Sequence, residues 1–263
     1  AVIFISHKLD EVLRVADDVT VVRAGETVAE VKAKDVTPRQ LAELMVGSEL
    51  PQPTTHGDTR RPEVTLALKD VSIPTATGSR DLISHISFNL HAGEVVGIAG
   101  VEGNGQAELV EAIMGLRDYT GSIEFQGSSI DHMTVAHRHD LGIGLIPEDR
   151  QRQALMMNSP LWENRILGHQ RGKPVMRGFV LDKKATITDT KRIMEEFDVR
   201  APGPMTAAAA LSGGNQQKFI VGREMSKAPA LLVASHPTRG VDVGAQGAIW
   251  EVLREARSKG MAI

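Results

Sequence analysis

The segment from Val95 to Met114 constrains this chain most. An apolar run, Val95 to Ala99, enters the glycine-rich turn Gly100-Val101-Glu102-Gly103-Asn104-Gly105-Gln106-Ala107 and leaves it in a helical pattern, 107–114. A buried strand running through such a turn into a helix is the opening unit of an α/β fold with a parallel sheet. The rhythm returns later, with a strand at Leu231–Ala234 and a helix at Gly244–Ser258. Between them, 147–210 reads as helical and loop-rich without clear strands.

The remaining pattern divides the chain. Residues 1–50 read as strand (1–5), helix (10–16), a hairpin turning at Ala24-Gly25, and a helix from Thr37-Pro38 to Met45 closed by Gly47. Residues 51–62 are Pro/Thr-rich and aperiodic, as a linker is. A new unit starts near 63, where Leu66, Leu68 and Val71 and then Ile86–Leu90 suggest sheet strands, followed by 122–125. Gly260-Met261-Ala262-Ile263 reads as the first residues of another buried strand. With an apolar strand at each extremity and no initiator methionine, the sequence is expected to be a piece of a longer chain.

Composition excludes several classes. No apolar run approaches the ~20 residues of a membrane helix, so a link to a membrane would run through a partner. A net charge of -3 gives no reason to expect a nucleic-acid surface. Without cysteine there are no disulfides and no thiolate metal sites.

The turn 100–107 places backbone N–H groups at a helix start, where they can cradle phosphate. A full phosphate loop has lysine at position 106 and serine or threonine at 107. Here Gln106 lacks the point charge that neutralises phosphate, and Ala107 has no oxygen for Mg²⁺. Glu102 adds a negative charge to the loop. A tight strand-to-helix turn without any ligand would explain the glycines equally well.

Leu211-Ser212-Gly213-Gly214-Asn215-Gln216-Gln217-Lys218 is more specific, with a hydroxyl and paired glycines just before a helix. It resembles the signature motif of ABC-transporter ATPases, in the form found in bacterial importers for simple sugars and nucleosides. The resemblance then extends over the whole chain. Ile146-Pro147-Glu148-Asp149-Arg150 is similar to the Q-loop segment, with glutamate in place of glutamine. Leu231–Thr238 resembles the Walker B strand, with Ser235 and His236 where active members carry an aspartate and the catalytic glutamate. Arg239-Gly240-Val241-Asp242 looks like the D-loop. Ile3–Glu11 resembles the switch-histidine strand of a preceding nucleotide-binding domain.

The fold this implies is α/β, a P-loop NTPase-like ABC ATPase domain with an antiparallel β subdomain and a helical insertion at about 150–210. Residues 1–50 would close a first nucleotide-binding domain, and 63–263 would be most of a second. The resemblance makes His7 the catalytic γ-phosphate sensor of the first domain's site. Gly100, Gly103, Asn104, Gly105, Gln106 and Ala107 would form this domain's own ATP loop. Ser212, Gly213, Gly214, Asn215, Gln216 and Asp242 would face ATP held by the other domain, with Mg²⁺ there.

This domain's own site is expected to be weak or empty and inert as a hydrolase. It lacks the lysine, the Mg²⁺ hydroxyl, both acidic Walker B residues and an adenine-stacking ring near 71–75. The implied protein is the energy-coupling subunit of a sugar or nucleoside importer, peripheral at the cytoplasmic membrane face. Its partners would be the first domain, the integral-membrane permease subunits and, indirectly, an external solute-binding protein, with no nucleic acid. The segment 148–162 would contact the permease. A non-transport ABC ATPase, or a structural or nucleotide-sensing module, are the alternatives.

No metal is expected. His132, His137 and His139 lie close in sequence, but no carboxylate has matching spacing, so a solvated helix and turn is the reading. Met156, Met157 and Trp162 read as packing of the helical part or lining of a permease groove. The stretch 189–198 reads as an amphipathic surface helix.

Overall fold

The computed structural model describes residues 1–6, 8–23, 25–47, 57–75, 81–101 and 103–263. The expectations for His7, Ala24, Glu102 and 48–56 therefore lie outside the described residues.

The N-terminal portion contains α1 (Leu9–Val15), the antiparallel hairpin β1 (Asp18–Arg23) and β2 (Glu26–Lys32), and α2 (Pro38–Val46). The start of α2 follows from its sequence. Thr37 accepts from the Gln40 N–H while the Gln40 side chain accepts from the Thr37 N–H, a capping box, and Gly47 closes the helix at φ 85°. The strand expected at 1–5 does not form. Val2, Ile3 and Ile5 are more than nine-tenths exposed, because no described strand lies beside them to pair their backbone.

After the aperiodic stretch 57–63, the chain builds a four-stranded antiparallel sheet. Its strands are β3 (Val64–Pro74), β4 (Asp81–His91), β5 (Thr120–Phe125) and β6 (Ser128–Ser129), in the order β4-β3-β5-β6. The late part of the expected linker is tied down: the Arg61 N–H donates to the Ala92 carbonyl at 2.8 Å and the Thr59 hydroxyl to the Gly93 carbonyl at 2.7 Å. Between β4 and β5 runs α3 (Gln106–Met114), which buries Leu109, Ala112, Ile113 and Met114 against this sheet.

Next come α4 (Val135–Asp140), β7 (Ile143–Ile146), a π-helical turn at Arg150–Ala154 and the short α5 (Leu161–Asn164). A two-residue hairpin, β8 (Met176–Arg177) and β9 (Val180–Leu181), interrupts the helical region and was not anticipated. Then follow α6 (Lys183–Glu196), α7 (Gly213–Met225), β10 (Leu231–Ala234) and α8 (Val243–Ser258).

Strands β7 and β10 pair in parallel, residue for residue from Ile143↔Leu231 to Ile146↔Ala234. Residues 261–263 lie on the other side of β10: Leu231 bridges Ala262 in parallel, and the Leu232 N–H donates to the Ala262 carbonyl at 2.9 Å. Ile263 in turn exchanges hydrogen bonds with Glu94 and Val96, both at 2.9 Å. The spatial order is thus β7, β10, 261–263 and 94–96. Both faces of this layer are covered, as a parallel sheet requires. Ile143 and Leu231 belong to one core with the antiparallel sheet and α3, while Ile146 and Leu232 belong to a second with α6, α7 and α8.

The buried strand expected at 95–99 is therefore only partly realised. Pairing with Ile263 reaches Val96 and stops, so Ile98 stays about half exposed (53%) along with Val95 (50%). No described helix is long and apolar enough to cross a membrane.

Candidate phosphate-binding and signature elements

The turn 100–107 ends as its glycines dictate. Gly103 and Gly105 take φ of 88° and 100°, and Gly105 caps α3 in the left-handed region. A Cβ at Gly105 would also meet Ile83 Cγ1 at 2.7 Å, so the turn is closed by packing against β4 as well as by its own geometry.

Inside the turn the Gln106 side chain folds back. Its Nε2 donates to the Val101 carbonyl at 3.1 Å and its Oε1 accepts from the Asn104 N–H at 3.2 Å. A side chain at Gly100 would collide with the same carboxamide. The carboxamide thus takes a backbone donor that a phosphate oxygen would otherwise claim. Ala107 is exposed and contributes no oxygen. These residues do not fit a Mg²⁺–triphosphate group.

The signature segment forms the first turn of α7. Ser212 is its N-cap, accepting from the Asn215 N–H and from Asn215 Nδ2 at 3.0 Å. Asn215 Oδ1 accepts from the Arg200 N–H at 2.8 Å. The Gln216 side chain is buried and fully engaged. Its Nε2 donates to the carbonyls of Ala208 (3.1 Å) and Leu211 (3.2 Å), and its Oε1 accepts from Arg150 Nε at 3.2 Å. Ser212 is exposed, whereas Gly214 is buried. The first-turn N–H groups of a helix have no intrahelical acceptor, so this end carries partial positive charge.

Packing demands glycine at 213 and is tight at 214. A Cβ at Gly213 would meet the Gly240 carbonyl oxygen at 2.8 Å, and one at Gly214 would meet Asp242 Oδ2 at 3.1 Å and Ala245 Cβ at 3.0 Å. The D-loop segment is therefore seated directly on the start of α7. Asp242 itself caps α8, its Oδ1 accepting from the Ala245 N–H at 2.9 Å.

Arg150 joins these pieces. Besides Gln216, its guanidinium donates to the carbonyls of Arg239 at 2.6 Å and Gly240 at 3.3 Å. Glu148 pairs with the Arg239 side chain. The 148–150 segment, expected to face a permease, thus turns Arg150 inward as a link between α7 and the D-loop. Just ahead of the D-loop, the Ser235 N–H donates to the Ile146 carbonyl at 2.8 Å, and His236 is exposed at φ 48°.

The structure brings Ser212, Gly213, Gly214, Asn215, Gln216 and Asp242 into one cluster. Gly100, Gly103, Asn104, Gly105, Gln106 and Ala107 belong to a separate turn.

Two buried features were not legible in the motifs. Arg138, 1% exposed, donates to the carbonyls of Ala112 (2.7 Å) and Ile113 (2.8 Å) at the end of α3, and to that of Ile130 (2.7 Å). His139, His169 and Glu224 converge between α4, the loop after α5, and α7. The long separation of the three in sequence hides that convergence.

Comparison with known proteins adds further findings. The sequence profile of the ABC transporter family matches residues 83–239. The chain is 40% identical, over its whole length, to the nucleoside import ATP-binding protein NupA of Lactococcus lactis subsp. cremoris, covering 52% of that protein. It is 39% identical over 95% of its length to the guanosine import ATP-binding protein NupO of Bacillus subtilis, covering 49% of it. A glucose import ATP-binding protein of Haloferax volcanii is 40% identical, with 48% covered. The chain thus spans about half the length of these relatives. Among solved structures, a nucleotide-free ATP-binding cassette of an ABC transporter superposes with a TM-score of 0.63 at 20% identity, over 75% of this chain and 79% of the other. The fold is that of an ABC ATPase cassette.

Proposed function

The chain belongs to the ABC transporter family, and on that premise we propose that it is the energy-coupling part of an importer for a nucleoside or simple sugar. Its own phosphate loop is degenerate. Its signature segment completes an ATP site whose phosphate loop and Mg²⁺ belong to a first nucleotide-binding domain of the same polypeptide. The importer assignment is supported by relatives at about 40% identity that are named as import ATP-binding proteins.

The division of labour rests on one observation, the Gln106 carboxamide folded into its own loop. With a neutral plug where a lysine would stand, no hydroxyl at 107 and Ser235-His236 in place of two carboxylates, nothing here neutralises a triphosphate. In contrast, Ser212 leaves the positive end of α7 accessible. A γ-phosphate approaching past Ser212 would meet oriented N–H groups, which stabilise developing charge without reorganising.

Residues 1–50 are then the close of the first domain, and His7 its phosphate sensor. The protein is peripheral at the cytoplasmic membrane face, held by permease subunits that receive solute from an external binding protein. Exposed parts of 148–162, among them Asp149 and Met156, are the permease-facing candidates, with the half-buried Glu148 beside them.

The test uses the full two-domain protein assembled with its permease subunits. Gly214→Asp should lower ATP hydrolysis by about 100-fold, the loss seen when an oriented donor is removed. Gly214→Ala, which adds bulk near Ala245 but no charge, should be much milder. Gln106→Ala should change turnover by less than about threefold. The asymmetric assignment fails if Gln106→Ala is the more damaging, or if Gly214→Asp is tolerated.

A further inference from the structure

Away from the nucleotide elements, one cluster among the described residues has the composition of a metal site. His139 on α4, His169 in the loop after α5 and Glu224 in the last turn of α7 each offer a ligand atom, all within 4.8 Å of one another. His169 is 1% exposed, and neither of its ring nitrogens has a hydrogen-bond partner. Nδ1 of His139 is also buried without a partner. The two rings meet edge-on, with centroids 4.9 Å apart. Nε2 of His139 stands 3.7 Å from Glu224 Oε2, too far for a hydrogen bond.

A neutral imidazole has one N–H and one lone pair whichever tautomer it adopts. In His169 both are buried and unused, which native interiors rarely tolerate. Glu224 is anchored from its far side, Oε1 accepting from Arg223 Nε at 2.9 Å, while the Leu145 N–H reaches Oε2 only at 3.4 Å. An Oε2 weakly held and turned toward two imidazoles is placed as a ligand.

We propose that His139, His169 and Glu224 bind a divalent transition-metal ion, with Zn²⁺ the best chemical match. Two imidazole nitrogens and a carboxylate oxygen suit zinc, and a water would complete four-coordination. Ligands about 2.0–2.1 Å from an ion lie about 3.3 Å from one another, so the three side chains close inward on binding. Gly168 permits this. It sits at φ 77°, and a Cβ there would already lie 3.3 Å from His139 Nε2.

The protonation states agree with the geometry. Burial, reinforced by Arg165, pushes His169 down to about 2, so its lone pair is free at neutral pH. Burial, the largest single influence on Glu224, would raise it, but Arg223 and the two histidines together hold the carboxyl at about 2, hence ionised. Arg165 is itself paired with Asp189 at 2.6 Å. Because Arg223 already neutralises Glu224, the site should bind less tightly than a four-ligand thiolate site. Its three ligands come from separate segments, so a bound ion would clamp the far end of the signature helix to α4 and the 165–172 loop.

The test is titration of the chelator-treated chain with Zn²⁺ by calorimetry and with Co²⁺ by visible absorption. One ion per chain is expected, with a tetrahedral Co²⁺ band and a thermal midpoint several degrees higher. His169→Phe and, independently, the more accessible His139→Gln should each weaken binding by at least 100-fold. The double variant His132→Ala/His137→Ala, which changes only neighbouring histidines, should bind like the parent. If His169→Phe does not fold, His139→Gln decides alone. Absence of stoichiometric binding by the parent overturns the proposal. So does unchanged affinity in His139→Gln, or loss of binding in the His132/His137 variant.

Discussion

Nε of Arg150 donates to Oε1 of Gln216 at 3.2 Å, linking the π-helical turn to the first turn of the signature helix. The same guanidinium reaches the carbonyls of Arg239 and Gly240, so one planar cation holds α7 and the D-loop in register. A lysine cannot reproduce this, because its ammonium is a point donor without the fork. Arg150→Ala and Arg150→Lys should each lower stability by about 2 kcal/mol, the scale of charge-assisted hydrogen bonds that are partly exposed. Urea unfolding of the chain, with an unchanged m-value, measures this. A shift below about 0.5 kcal/mol in both variants would show that the link is ornamental.

Local chemistry made some of this fold legible and left the rest hidden. The α2 boundaries follow from Thr37, Gln40 and Gly47, which act within one turn. Strand β10 follows from four apolar residues whose alternate sides enter two cores. The β3 pattern slips by one between Leu68 and Val71 because a bulge with Asp70 at φ 55° absorbs the extra residue. At 95–99 an apolar run suggested burial, but burial depends on neighbouring strands, and among the described residues only Ile263 pairs with it. The glycines of the two motifs were visible in sequence. That Gln106 fills its own loop, and that Gly213 and Gly214 are pinned by the D-loop, depends on tertiary approach that spacing does not encode.

The folded-back Gln106 sets a prediction for nucleotide affinity. Gln106→Ala frees the Asn104 N–H and should strengthen MgATP binding to the chain modestly, by up to about tenfold, the worth of one hydrogen bond. Gln106→Lys/Ala107→Ser restores a charge and a metal-ligand oxygen and should gain more. Calorimetric titration ranks the parent and both variants. If the double variant binds no better than the parent, the side chain at 106 is not what closes the loop.

Arg138 is the next candidate for a large effect. Buried at 1% exposure, it satisfies the terminal carbonyls of α3 together with those of Ile130 and Met133. Arg138→Leu removes four hydrogen bonds donated by a buried cation, although Ala112 and Ile130 each keep a backbone N–H donor, so the expected loss is about 4 kcal/mol. The helix directly follows the phosphate-loop turn, so the loop should loosen with it. Native-state hydrogen exchange at 106–114 would reveal this. Protection unchanged from the parent would mean that α3 does not depend on Arg138.

The buried imidazole of His169 makes stability depend on pH in a definite direction. Burial, then the nearby Arg165, holds its folded pKa at about 2, against 6.5 for the free side chain. Between those values the unfolded chain binds a proton that the folded chain does not, so stability rises with pH across that interval. The contribution is complete above pH 6.5 and is lost as pH falls below it, with a slope approaching ~1.4 kcal/mol per unit. Glu224 is also held down, but its contribution is present above about 4.5 and falls only below that value, so it is silent nearer neutrality. Comparing pH 7.5 with pH 5.5 therefore isolates the histidine. With a chelator present to exclude metal, the parent should lose about 1.4 kcal/mol more than His169→Phe over this step. Urea midpoints at the two pH values supply the comparison, and equal losses in the two proteins would mean that His169 is not buried as a neutral ring.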